Sequence, residues 1–180
     1  MSKKLTIIIS LVVLTLSLSA DKAELRSKAV VEKPQTQQIT SQKLDKEAQI
    51  LASYLARFDS PLQYHSQDLM DAARTYGLDW KIIPAIAGVE STFGKHIPGG
   101  YNAWGWGVYG NQAIYFNSWR EGIFTIAKGL RENYFDKGLT EPYSINRIYA
   151  ASPHWGWKVT YFMQDLEKFA LAESEQKGLT

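Results

Sequence analysis

Residues 79–107 read DWKIIPAIAGVESTFGKHIPGGYNAWGWG. The first half is apolar with a helical period. Ile82, Ile83, Ile86 and Val89 recur on one face, which predicts a helix from about Asp79 to Ser91. Pro84 has no N–H to donate, so either the first turn is irregular or the regular helix begins near it. The second half abandons that period. Glycines at 94, 99, 100, 105 and 107, with a further one at 110, alternate with aromatic residues and predict a loop-rich lobe. Val108-Tyr109 and Ile114-Tyr115-Phe116 predict a short β-hairpin turning at Gly110-Asn111. Glu90 therefore stands where an apolar helix runs into a lobe rich in glycine and aromatic rings.

Outward from this stretch the chain reads as helices. Ile50, Leu51, Tyr54, Leu55 and Phe58 mark one helix beginning at Asp45, and Ser60-Pro61 breaks it. Leu69, Met70, Ala73 and Tyr76 mark the next, ended by Gly77. Ser118-Trp119-Arg120-Glu121 fits the capping box S-x-x-E. The helix it opens carries Ile123, Ile126, Ala127 and Leu130 on one face, with Gly138 as its close. A short helix around Ser144–Tyr149 and a long one from Trp155 to about Ala172 follow, the last with Tyr161, Phe162, Leu166 and Phe169 inward. No internal repeat is present. The fold class expected is mainly α, a helical domain over residues 45–175 with a small Gly- and aromatic-rich loop or hairpin lobe.

The chemistry-bearing pattern centres on Glu90. A carboxylate at a helix C-terminus gains nothing from the macrodipole, which favours acids at the opposite end. Partly buried beside aromatic rings, such a carboxyl has its pKa raised and stays protonated towards neutrality, the state needed to protonate a glycosidic oxygen. Trp104 and Trp106, two residues apart, would share a face in an extended segment; one is expected to stack on a sugar ring and the other to pack in the core. Tyr101 and Asn102 are candidates for contacts to substrate amides or hydroxyls, against an ordinary turn role after Gly99-Gly100. Ser91 orients Glu90 or bonds backbone. It is no serine nucleophile, because no G-x-S-x-G element is present.

The series VESTFGKHIPGGYNAWGWG (89–107) and FNSWREGIFTIAKGL (116–130) resembles the glucosaminidase family, the mannosyl-glycoprotein endo-β-N-acetylglucosaminidase-like branch of the lysozyme superfamily. Glu90-Ser91 with Gly94, then Asn102, then Trp104-Gly105, then Trp119 and Gly122, follow its pattern over a resemblance spanning about residues 65–170. The resemblance implies a lysozyme-like fold, Glu90 as catalytic acid, and Tyr149 as a tyrosine lining the cleft. Thr92-Phe93-Gly94 stands where the family usually has Gly-Trp-Gly. The glycosidase scheme also calls for a second carboxylate, yet no Asp or Glu occurs from Ser91 to Arg120, and Glu121 is explained by its cap. Two chemistries remain for one carboxyl. In one, the substrate's N-acetyl group is the nucleophile; in the other, a lytic transglycosylase, its 6-hydroxyl attacks. A wall-binding module without turnover is the reading from another class.

The rest of the chain limits the setting. With 180 residues, one domain is expected. Cysteine is absent, which excludes disulfides and thiol chemistry. His65, His96 and His154 have no metal-ligand spacing, and no nucleotide-binding Gly-rich unit is present, so neither metal nor cofactor is expected. The formal charge is +2, but without Lys3 and Lys4 there are 18 basic residues against 18 acidic, which argues against nucleic acid. Those lysines begin MSKKLTIIISLVVLTLSLSA, with an apolar run over 5–18 and small residues at its end. Residues 1–20 therefore read as a secretory signal peptide or, uncleaved, a membrane anchor. Residues 21–44 read as a polar flexible spacer, about 25–30 Å as a coil, with a poorly packed first helix as the alternative. The expectation is an extracytoplasmic monomer acting on peptidoglycan glycan strands.

Overall fold

The computed structural model describes residues 35–107 and 114–178. Segment 1–20, the proposed spacer up to residue 34, and the proposed Gly110-Asn111 turn lie outside the described residues. The chain divides between Ser41 and Gln42 into two units, and the second holds the core.

Six α-helices make up the described chain: α1 Gln35–Ala56, α2 Ser66–Tyr76, α3 Ile82–Ser91, α4 Trp119–Asn133, α5 Pro142–Tyr149 and α6 Trp155–Gly178, with short 3-10 helices at Pro61–His65 and Phe135–Lys137. The protein is thus mainly α. Helix α1 begins at Gln35, so residues 35–44 are helical rather than the flexible coil expected of a spacer. Polar composition removes the apolar face but not helix propensity, and Gln and Lys are adequate helix formers. Among the described residues no helix is long and apolar enough to cross a membrane.

Helix α3 occupies the centre. Ile82 through Gly88 are all buried, as expected of a helix that is apolar on every side. It begins at Ile82, three residues later than the apolar stripe suggested, because Asp79 builds a preceding turn: its carbonyl accepts from Ile82 N–H and its carboxylate from Lys81 N–H. Pro84 is then the third helical residue. Its missing N–H falls among the four that no helix satisfies internally, so it costs no hydrogen bond. Around α3 pack α2, α4 and α6. The core gathers Leu51 and Leu55 from α1, Leu69 and Met70 from α2, Ile123, Ile126 and Leu130 from α4, and Val159 and Leu166 from α6.

Helix boundaries follow local chemistry. Gly77, at φ 60°, closes α2 and donates to its last carbonyls. Ser118 caps α4 by accepting from Glu121 N–H. The return half of the expected box differs: Glu121 Oε2 accepts from the backbone and side-chain N–H groups of Asn117, one residue further out. Gly138 closes the 3-10 turn after α4 rather than α4 itself, which ends at Asn133. On α6, Phe162, Leu166 and Phe169 pack against the core but Tyr161 is exposed, its ring stacked on Trp157 at 6.0 Å. Position 161 sits at the edge of the buried stripe, where a tyrosine is readily left at the surface.

Residues 92–107 and 114–117 contain turns and bends and no strand. Among the described residues, a backbone bond from Phe116 N–H to the Gly100 carbonyl at 2.6 Å ties the two arms of the lobe together. Of the segments that predicted a hairpin, Val108-Tyr109 lies outside the described residues; in the other, Phe116 is buried while Ile114 and Tyr115 are exposed.

Candidate functional site

The last turn of α3 presents Glu90, and the following loop folds back over it. Thr92 and Phe93 leave the helix with positive φ, 53° and 57°. This conformation costs a non-glycine residue about 1 kcal/mol or more. Burial of the Phe93 ring offsets it, against Tyr54, Phe58 and Phe162 at centroid distances of 6.0, 4.4 and 5.0 Å.

Three residues pin the returning loop. Ser91 Oγ lies 2.7 Å from the Ala103 carbonyl and 3.1 Å from that of Ala87, and accepts from Gly94 N–H at 2.8 Å. Asn102 is buried; its amide donates to the carbonyls of Trp106 and Ile114 at 2.8 and 2.9 Å, and its oxygen accepts from Trp104 and Trp106 N–H at 3.3 and 3.1 Å. The Trp104 indole is fully buried and donates to the Ile83 carbonyl at 3.0 Å. Ser91 thus bonds backbone, one of its two expected roles, and Trp104 is the tryptophan that packs in the core; neither side chain is open to a ligand. Asn102 takes the turn role and not the ligand contact, because its polar groups are consumed within the fold and its side chain is closed to solvent.

Gly105, at φ 62°, separates the two tryptophans. The segment is consequently not extended, and the rings do not share a face. Trp104 enters the core. Trp106 is half-buried and packs on α4 where Gly129 leaves room, since a Cβ at Gly129 would overlap the indole. Gly105 also faces the acid: a Cβ there would stand 3.1 Å from Glu90 Oε2. Gly105→Ala is expected to destabilise the protein by about 1–2 kcal/mol through the left-handed backbone and to push the Glu90 carboxyl aside. Chemical denaturation and a Glu90 side-chain NMR shift would check both effects.

The carboxyl is held from the other side by α6. Trp155, buried at the start of that helix, donates its indole N–H to Glu90 Oε1 at 2.6 Å. Its ring stacks on Tyr149 at 4.6 Å and 24°, and Tyr149 OH donates to the Trp104 carbonyl at 2.7 Å. Tyr134 and Trp106 flank Tyr149, each with ring centroids 6.0 Å away. The result is a run of rings from α4 through α5 to α6 that ends on the acid.

Glu90 is open to solvent on one side, yet partial burial of its carboxyl raises the pKa above the ordinary 4.5. The Trp155 hydrogen bond and the charge of Lys158 act in the opposite direction without cancelling it. Tyr149 is pushed well above the ordinary phenol value by burial first, then by Glu90 and Tyr134, so it stays a donor.

Beside Gly105 opens a groove of about 520 Å³ lined by Trp106, Ile114, Tyr134, Lys137, Ile148 and Tyr149, with Gly107 and Asn133 completing the wall. Among the described residues no carboxylate lines it, Glu90 included: of the candidates, Trp106 and Tyr149 line the groove, and Glu90 adjoins it through Gly105. Tyr101 is exposed with its ring edge-on to Trp119 at 5.4 Å, and it is not part of this lining. Trp155, Lys158, Tyr134 and Lys137 escape a reading of the sequence. Their only local signals are a helix start after Ser152-Pro153 and ordinary helical periodicity. Among the described residues no cluster of three or more metal-ligating side chains occurs. Compared with known proteins, the chain matches no protein-family model and no curated protein sequence.

Proposed function

We propose that the protein is an exported glycosidase of the lysozyme-like type that cleaves β-1,4 bonds between N-acetylated amino sugars of peptidoglycan, with Glu90 as general acid. The observation that carries this reading is the Glu90 carboxyl itself: raised in pKa, held by a buried indole, and set beside an aromatic-lined groove. A carboxyl still partly protonated above its usual range can give its proton to a glycosidic oxygen as the C–O bond breaks. Half-buried Trp106 and the Tyr149 edge offer apolar faces to a pyranose ring. Residues 1–20 supply the export signal or anchor.

With no Asp or Glu from Ser91 to Arg120, the chemistry proposed uses one acid. Glu90 donates its proton to the leaving oxygen, and its carboxylate then accepts a proton from the attacking group. With water as that group, after participation of the N-acetyl oxygen, the product is a new reducing end. With the sugar's 6-hydroxyl, the product is an anhydro end, the lytic transglycosylase outcome. The test is digestion of purified peptidoglycan by the full chain in mild detergent, with fragments read by mass spectrometry. Reducing ends support the hydrolase and anhydro ends the transglycosylase. Sedimentation with the wall without any fragment would leave a binding module.

A further inference from the structure

We propose that Trp155 is a positioning residue that assigns the two oxygens of Glu90 different tasks: the indole N–H occupies Oε1, so the proton resides on Oε2, the oxygen above Gly105. The argument begins with what each atom can do. An indole N–H donates and cannot accept. A protonated carboxyl has one carbonyl-like oxygen that accepts well and one hydroxyl that donates. With Trp155 Nε1 at 2.6 Å from Oε1, the arrangement that keeps this bond in both protonation states puts the hydroxyl at Oε2. The carboxyl is not free to exchange the two. Trp155 is buried and stacked on Tyr149, whose hydroxyl is tied to the Trp104 carbonyl. The donor is thereby fixed by contacts to both α5 and the loop.

The consequence is directional. The space next to Oε2 belongs to Gly105, where even a methyl would come within 3.1 Å, and Gly105 is also part of the groove wall. The proton therefore leaves on the groove side. On the glycosidase reading, on which this part rests, the scissile oxygen approaches over Gly105. The proton on Oε2 passes to that oxygen, which keeps the electron pair of the broken C–O bond. The resulting carboxylate remains bonded to the indole through Oε1. The groups facing Glu90 are Lys158 and Trp155 from α6 and Tyr149 from α5. Of these, Trp155 alone discriminates between the two oxygens by a hydrogen bond.

The test needs no turnover. Full-length chain labelled with 13C and 15N is titrated by NMR, following the Glu90 carboxyl carbon and the Trp155 indole N–H in wild type and in Trp155→Phe. The expected results are a Glu90 midpoint about one pH unit higher in Trp155→Phe, the size of a lost charge-assisted bond, and a wild-type indole proton that titrates with Glu90 yet stays hydrogen-bonded on both sides of the midpoint. An unchanged midpoint would overturn the proposal, as would an indole released when Glu90 protonates. If Trp155→Phe does not fold, the wild-type indole titration decides alone, with Glu90→Gln expected to abolish it. An inactive protein that gives these spectra would refute the glycosidase reading and leave the assignment of oxygens standing.

Discussion

Glu90→Gln is expected to lower the release of peptidoglycan fragments about 10³-fold, the usual worth of a positioned general acid, while making the protein more resistant to heat above neutral pH. Both effects come from one cause. Gln retains the shape and an oxygen that can accept from Trp155, but it has no proton to give. In the wild type the folded-state pKa of Glu90 lies above the ordinary 4.5 because burial disfavours the charged form. A carboxyl raised on folding contributes stability that is fully present below the unfolded value and lost as pH rises through the folded value. The wild type should therefore match Glu90→Gln near pH 4 and fall behind it from about pH 4.5 upward, levelling off above the folded pKa. Melting curves at pH 4 and pH 8 measure the difference. An equal loss of Tm in the variant at both pH values would show that Glu90 serves packing instead. Stability given up for a poised functional group is the usual trade at an active site.

Asn102→Ala should have the largest effect on stability, about 3 kcal/mol, or on the order of 10 °C in Tm. The side chain is buried and joins four backbone groups of one loop, two carbonyls and two N–H groups. Its removal leaves these groups without their side-chain partner. The loop it holds carries Gly105 over Glu90, so the variant should also lose activity in proportion to unfolded or rearranged loop. Asn102→Asp separates the two contributions, since it keeps both acceptor bonds and loses both donor bonds. Denaturation that left Asn102→Ala within 0.5 kcal/mol of wild type would return this residue to a surface or ligand-binding role.

Much of this protein was legible one segment at a time. Apolar residues at helical spacing marked α2, α3 and α4, and Ser118 and Gly77 marked boundaries, because capping and periodicity act between residues three or four apart. The position of Glu90 at the end of an apolar helix, ahead of the glycine-rich lobe, was equally visible. What tertiary structure decided was the fate of each ring and amide around it. Trp104 and Trp106 have the same residue type and nearly the same neighbours. One lies in the core and the other at a groove because the left-handed turn at Gly105 sends them apart. Asn102 reads as a ligand contact or a turn residue until its four backbone partners are seen. The bonds that define the site join residues 65 positions apart, Trp155 to Glu90, and 45 apart, Tyr149 to Trp104. Contacts of that separation leave no local pattern, since packing of α6 against α3 and of α5 against α6 creates them. The sequence by itself determined a mainly helical protein with an acid at the end of a buried helix. Only the tertiary structure decided which oxygen of that acid is held, because the indole that holds it arrives from a distant helix.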